Sequence, residues 1–387
     1  MPKQKKFKNK KVLVAMSGGV DSSVTAALLI DQGYDVTAAY MKQWSGVKSQ
    51  GDHATGSVKS QGDHATSGDG ICTWKKDRRD ALRVAAHLDI DLLTFDYQKE
   101  YKKHVFDYMI KEYKKGRTPN PDILCNQFIK FGFWLQKAKQ LGFDYLATGH
   151  YADIDNQQGV YTLLQAKDTN KDQTYFLHKL DQKQLSGILF PLGTLNKSEV
   201  RTIAKQKKLP TANRKESMGV CFIGEMPMKQ FLSTYIKQTP GKILLESGEI
   251  VGTHDGLAYY TIGQRHVGVA SSKIQKNNTD NKPLFVISKN LKTNDLIIGF
   301  EDSQLLYKKE ILLEDMHWIS GLTQKKPVQC LVRFRHRQEM QECRVTMTSN
   351  TTAVLLCKTK QKAITPGQFA VLYTDKACLG GGIIGNF

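Results

Sequence analysis

The stretch KVLVAMSGGVDSSVTAALL, Lys11–Leu29, decides how the rest of the chain is read. Val12–Ala15 is a short apolar run rich in β-branched residues, the pattern of a buried strand. Ser17, Gly18 and Gly19 break that run, and apolar residues return with helical spacing over Val24–Ile30. A strand, a glycine turn and a helix start in that order form an anion site. The turn lets backbone N–H groups converge, and the helix dipole adds partial positive charge at the same place. An ordinary βα turn would use Gly and Ser as well. Here Ser17, Ser22 and Ser23 add hydroxyls around the glycines, and Asp21 adds a carboxylate able to hold Mg²⁺. No Gly-Lys-Ser/Thr follows, so the loop is not of the Walker kind.

Working outward, Asp35–Met41 reads as a second strand, Asp77–His87 as an amphipathic helix and Asp91–Phe95 as a strand. Helical spacing follows over Tyr101–Lys115 and Phe128–Gln140, then a strand at Tyr145–Thr148. Strands alternating with helices predict an α/β fold with a doubly wound parallel sheet. Ligands in such sheets lie at the carboxyl ends of the strands, where Ser17–Ser23, Met41 and Gly149-His150 fall. Between strand and helix, VKSQGDHAT occurs at Val47–Thr55 and again at Val58–Thr66. Two copies are too few for a solenoid and too polar for a core, so 45–70 reads as a mobile surface insertion. Its His53 and His64 read as solvated loop residues.

A helix is expected over Ser198–Lys207, after which short β runs take over: Lys242–Leu245, Leu257–Thr261, Leu284–Ser288 and Leu296–Ile298. Asn277–Asn281 reads as a polar loop. Further runs at Gln329–Phe334, Glu342–Thr348, Thr352–Cys357 and Phe369–Tyr373 have no helices between them and predict a small β-barrel, closed or nearly so. The expected division is 1–209 for the nucleotide domain with its insertion, 210–288 for a small central domain and 289–387 for the barrel.

The 387 residues are 40% hydrophobic and 9% aromatic, a globular composition. No apolar run approaches the roughly 18 residues of a membrane span. MPKQKKFKNKK at the start is basic without an apolar segment, and resembles neither a secretory signal nor a transit peptide. A cytoplasmic, bacterial protein is the expectation. Lys and Arg number 56 against 37 acids, a net charge of +19. A surplus that large exceeds what a nucleotide needs and points to a polyanionic partner such as nucleic acid.

Seven cysteines at irregular spacing argue against a disulfide scaffold, and none has zinc-ligand spacing. Cys330, Cys343, Cys357 and Cys378 read as small core residues, and Cys72 is ambiguous. Cys125, in GRTPNPDILCN (Gly116–Asn126), stands in what reads as a rigid Pro/Gly/Asn loop, with Asp122 three residues before it, placed to move a proton. Cys221 lies in ESMGVCFIG, bounded by glycines.

SGGVDSS resembles the loop of enzymes that split ATP between the α- and β-phosphates and leave an adenylated intermediate. Such a loop with two set-apart thiols suggests sulfur transfer through a persulfide. Eight motifs in order extend the likeness: SGGVDSS, GRTPNPDILCN, ATGHY (Ala147–Tyr151), KDQTYFL (Lys171–Leu177), FPLG (Phe190–Gly193), CFIG (Cys221–Gly224), YTIGQR (Tyr260–Arg265) and PGQFAVLY (Pro366–Tyr373). Over nearly the whole chain this resembles the tRNA-specific 2-thiouridylase family. It departs at the duplicated insertion, and at HVGVASS (His266–Ser272) where that family carries a glycine-rich run.

The resemblance implies that Ala15, Met16, Ser17, Gly18, Gly19, Val20, Asp21, Ser22 and Met41 hold ATP, with Gly149 at its adenine or ribose side and Mg²⁺ on its phosphates. Asn120, Pro121 and Asp122 would surround the target uracil, Asp122 as general acid/base. Cys221 would carry the persulfide and Cys125 would be its partner thiol. His150, Lys171, Asp172, Gln173, Arg333, Phe334 and Gln368 would contact tRNA at its anticodon loop, and a persulfide donor protein would supply sulfur. Independently, Arg333, Arg335 and Arg337 alternate, which on a strand puts them on one face suited to phosphates; a charged edge strand is the competing reading. Another adenylating enzyme with a different acceptor, or a non-enzymatic tRNA-binding protein, are the alternatives.

Overall fold

The computed structural model describes residues 9–42, 74–215, 227–269 and 282–386. Cys72, Cys221, the insertion 45–70 and the loop Asn277–Asn281 lie outside the described residues.

Strand β1 (Lys11–Ala15), helix α1 (Val20–Asp31), strand β2 (Asp35–Lys42), helix α2 (Trp74–His87) and strand β3 (Leu92–Asp96) follow in order. Two long helical stretches, 98–114 and 121–140, each contain widened π-type turns and lead to β4 (Tyr145–Ala147). With β7 (Ile188–Leu189) these strands form one parallel sheet in the order β3-β2-β1-β4-β7. Because side chains alternate across a strand, β1 serves two cores. Val12 and Val14 pack with Ala26 and Leu29 of α1 and Ala81 and Val84 of α2. Leu13 faces the other way, into Tyr101, Met109, Ile129 and Trp134 of the long helices. The chain leaves β1 toward β2 and β3 and returns beside β1 at β4, so the order reverses between β1 and β4.

A hairpin of β5 (Ala152–Gln157) and β6 (Val160–Gln165) turns at Gln158 and Gly159, with φ of 53° and 88°. Both values suit a tight turn matched to strand twist. After the helix Lys197–Gln206 comes a second sheet of β8 (Gly241–Leu245), β9 (Ile250–His254), β10 (Phe285–Asn290) and β11 (Asp295–Gly299), ordered β10-β11-β8-β9. Its core holds Ile243, Val286, Leu296 and Ile298. The boundary expected at Lys289 falls inside β10, and this sheet runs on to Gly299. Leu257–Thr261 is not the expected β run. Gly256, at φ 147°, breaks the strand direction and Leu257–Tyr259 makes a short 3₁₀ turn.

Strands β12 (Tyr307–Trp318), β13 (Val328–Arg333), β14 (Gln341–Met347), β15 (Ala353–Lys362), β16 (Phe369–Thr374) and β17 (Ala377–Ile384) are all antiparallel. They run β12-β15-β14-β13-β16-β17, and β12 pairs with β17 to close the barrel. The sequence predicts this closed barrel but not its extension: β6 pairs with β17 and adds the β5–β6 hairpin to the barrel sheet. The cysteines expected in the core are all buried, Cys330, Cys343 and Cys357 inside the barrel and Cys378 in the core shared with the long helices.

Candidate functional site

The turn after β1 opens at the switch point between β1 and β4, the place where doubly wound sheets bind ligands. Gly18 has φ +78°, and a Cβ there would meet the Asp77 carbonyl oxygen at 2.4 Å, so the turn needs glycine for both its angle and its packing. The hydroxyls hold the loop's shape. Ser22 Oγ accepts from the Ser17 N–H at 3.2 Å and lies 3.2 Å from Ser17 Oγ, and Ser23 Oγ donates to the Gly19 carbonyl at 2.8 Å. Gly19 stands at the N-cap of α1 with no side-chain cap bond, and its own N–H donates to Ser17 Oγ at 3.3 Å. Arg214 braces the outer wall, donating to the Gly18 carbonyl at 2.7 Å and pairing with Asp77 and Asp80.

Asp21 is not left open to a metal alone. Lys197 Nζ lies 2.6 Å from its Oδ1, and the Tyr151 hydroxyl donates to the same oxygen at 3.0 Å. Lys197 and Arg214 carry no sequence signal beyond a helix start and a basic run; only the fold brings them to the loop. Among the described residues no cluster of three or more His, Cys, Asp or Glu could hold a metal ion.

Gly149 closes the other side of the loop, where an added Cβ would sit 2.9 Å from the Asp21 carbonyl carbon and the Ser22 nitrogen. Gly149→Ala is therefore expected to push the loop open and weaken nucleotide binding at least tenfold, about 1.4 kcal/mol. Calorimetric titration with ATP reads this directly, and unchanged affinity with an unchanged melting temperature would remove Gly149 from the site.

GRTPNPDILCN departs from the rigid loop expected. Only 116–120 is irregular; Pro121, at the first helical position, starts a helix with Asn120 at its N-cap position and no side-chain cap bond. Asp122 and Cys125 stand three apart on it and share a face. Cys125 is buried at 4% exposure, within the core of the long helices, as a structural cysteine would be. Burial raises the Asp122 carboxyl above its ordinary range, opposed in part by the charge of Lys130. Burial holds the His150 imidazole well below its usual value, and Lys130 again contributes. Lys130, absent from the sequence expectations, thus acts on both groups. His150 Nδ1 lies 2.7 Å from Thr148 Oγ1, and its ring is 5.7 Å from that of Phe131, on the Cys125 helix. Gly149 and His150, adjacent in sequence, therefore connect the glycine loop after β1 to the helix that carries Asp122 and Cys125. Met41 reaches the same edge at the end of β2, 9% exposed.

The expected tRNA contacts divide. Lys171 and Gln173 are half-buried beside this region, Gln173 Oε1 accepting from the Tyr151 N–H at 2.9 Å. Asp172 is instead 1% exposed. It accepts from Thr174 Oγ1 at 2.8 Å and pairs with Arg333 at 3.0 Å, while the Arg333 guanidinium lies 5.5 Å from the Tyr373 ring centre. Phe334 is 3% exposed, with its carbonyl accepting from the Tyr175 hydroxyl. Gln368 is turned onto the Thr118 carbonyl. Nor do the three arginines share a strand face. β13 ends at Arg333, the chain turns, Arg335 donates to the Ala363 carbonyl at 2.8 Å, and Arg337 has φ 66°. What the turn makes is a basic groove of about 620 Å³, lined by Arg335, His336, Arg337, Lys360 and Lys362 against Phe285 of the second sheet.

Three family profiles match in succession: a tRNA methyl transferase HUP domain over residues 10–225, a tRNA methyl transferase PRC-barrel domain over 229–300 and an aminomethyltransferase beta-barrel domain over 308–384. The chain is 44% identical over 377 residues to the tRNA-specific 2-thiouridylase MnmA of Halalkalibacterium halodurans, covering 97% of this chain and 94% of that protein. It is 43% identical over 385 residues to the protein of the same name from Bacillus velezensis, covering 98% and 96%. A crystal structure of a 4-thiouridine synthetase–RNA complex with bound ATP aligns at a TM-score of 0.33 and 16% identity, over 56% of this chain and 45% of that one, a likeness that carries no argument. Among the described residues no helix is long and apolar enough to cross a membrane.

Proposed function

The chain belongs to the tRNA-specific 2-thiouridylase family, and from that premise we propose that it replaces O2 of a tRNA uridine, the wobble uridine of the anticodon loop, with sulfur at the expense of ATP. The observation that supports this most directly is the Gly149-His150 link. It sets a turn built for phosphates beside a helix that offers a carboxyl of raised pKa and a thiol, the groups that adenylation followed by sulfur exchange requires. The matching profiles carry a methyl transferase description, whereas relatives covered over more than nine-tenths of their length are thiouridylases. Activation by splitting ATP prepares an oxygen to leave, which methylation of a nucleophilic atom does not need.

In this reading Ala15–Ser22 and Met41 cradle ATP, and Gly149 bounds it. Mg²⁺ would be held by the phosphates with Asp21 as the protein's carboxylate, in competition with Lys197, and would screen the phosphate charge. Asn120 and Pro121 flank the uracil, and Asp122 handles the proton as O2 attacks the α-phosphate and pyrophosphate leaves. The terminal sulfur of a persulfide on Cys221, loaded by a donor protein, attacks C2 and AMP departs. The Cys125 thiolate then attacks the Cys221 sulfur, which frees the thiolated base and leaves a Cys125–Cys221 disulfide for a thiol reductant to reopen. Cys125 is buried as described, so tRNA binding must uncover it. A base reached in a single-stranded loop flips out more cheaply than one in a duplex, and the basic groove beside β13 suits the phosphates that follow. In this reading the work is done in the cytoplasm.

Incubation with tRNA and ATP labelled at the α-phosphate is expected to give labelled AMP and free pyrophosphate only when tRNA is present. ADP and phosphate as products would overturn the assignment.

A further inference from the structure

The irregular segment 116–120 is gripped from both of the other sheets. From the barrel, Gln368 Nε2 donates to the Thr118 carbonyl at 2.8 Å and to the Pro119 carbonyl at 3.3 Å, and the Thr118 N–H donates to the Pro366 carbonyl at 2.9 Å. Gly367, at φ +90°, lets the two backbones approach, since a Cβ there would lie 3.0 Å from the Thr118 nitrogen. Arg117 is tied to Glu314 at 2.9 Å and to the Ile384 carbonyl at 3.2 Å. From the second sheet's side, Thr261 Oγ1 lies 3.1 Å from Thr118 Oγ1, and Lys289 Nζ donates to the Gly116 carbonyl at 2.8 Å. Thr261 is itself fixed, its N–H donating to Gln264 Oε1 at 3.0 Å.

We propose that Gln368, Thr261 and Lys289 are positioning residues: they fix the backbone of 116–120 and so set the Asn120–Cys125 segment relative to the nucleotide loop. Calling that segment the uracil site rests on the function proposed above; the mechanical claim does not. Two motifs thereby gain a structural task, PGQFAVLY through Pro366–Gln368 and YTIGQR through Thr261 and Gln264. Gln368 commits its Nε2 to the loop's carbonyls. The physical reason for such a grip is that Pro119, and Pro121 just after the segment, have no N–H for internal bonding, while the segment's carbonyls still need donors. A displacement of about 1 Å at a reacting group costs on the order of 10²-fold in rate.

The test compares Gln368→Ala and the isosteric Thr261→Val with the wild type, by two readouts. The first is site-resolved alkylation of native protein by iodoacetamide, with Cys330, Cys357 and Cys378 as buried controls inside the same molecule. Cys125 is expected to react about tenfold faster in Gln368→Ala, less so in Thr261→Val, with the three controls unchanged. The second is kinetic, read in Thr261→Val: kcat falls while the tRNA dissociation constant holds. Unchanged Cys125 alkylation in both variants, or a weakened tRNA affinity with kcat intact in Thr261→Val, would overturn the proposal. A parallel rise at all four cysteines would also overturn it, since that marks general loosening. Because alkylation needs no substrate, a failure of the thiolation reading leaves this arm able to decide.

Discussion

Asp122→Asn is expected to lower turnover by about 10²–10⁴-fold, the range for losing a positioned acid/base group, while the protein becomes no less stable. The two effects have one cause. Burial raises the Asp122 carboxyl above the usual carboxylate range even against the pull of Lys130. A carboxyl with a raised folded pKa binds more protons in the native state than in the unfolded one. Stability is therefore lost as pH rises from the unfolded to the folded value, and the neutral amide removes that loss at pH 7. The wild-type kcat/KM profile should show an acid limb above the ordinary carboxylate range, missing in the variant. His150, kept neutral by burial, contributes no ionisation near neutrality. An Asn variant with wild-type turnover and an unchanged pH profile would leave Asp122 a spectator.

Asp172→Ala should be the costliest single change to folding, by about 3–5 kcal/mol, because it leaves a buried guanidinium without its charge partner. Thr174 Oγ1 and the Ala166 N–H lose their acceptor as well. That is a large share of a typical total stability of about 5–15 kcal/mol. Replacing both partners, Asp172→Leu with Arg333→Met, should restore much of the loss, and denaturant unfolding measures each. A loss below about 1 kcal/mol accompanied by weakened tRNA binding would mean that Asp172 and Arg333 serve the substrate and not the join between hairpin and barrel.

How much could be read beforehand depended on how local the cause was. The strand–turn–helix at Lys11–Leu29 was legible because its signals lie within one short stretch: a β-branched run, two glycines, and apolar residues at helical spacing. The closed barrel was legible from regular short β runs. The partner of Arg333 was not, since Asp172 lies 161 residues away and a local alternation of arginines says nothing of where the strand stops. The β5–β6 hairpin is likewise indistinguishable by pattern from a strand pair of the first sheet; only its pairing with β17 shows where it belongs. For GRTPNPD the prolines marked a break between helical stretches, but Pro121 itself starts a helix. The segment's anchors sit at Lys289 and Gln368, 173 and 250 residues away from Gly116 and Thr118. Lys130, Lys197 and Arg214 became visible for the same reason, once the fold brought them to groups distant in sequence.

The central claim is sulfur for oxygen at a tRNA uridine, and nucleoside mass spectrometry tests it most directly. Purified protein, ATP, a persulfide donor and unmodified tRNA are incubated, and the tRNA is digested to nucleosides. The account predicts 2-thiouridine arising from the wobble position, dependent on ATP, and absent with Cys221→Ser or Cys125→Ser. A methylated uridine without sulfur, or thiolation that persists without ATP, would contradict it.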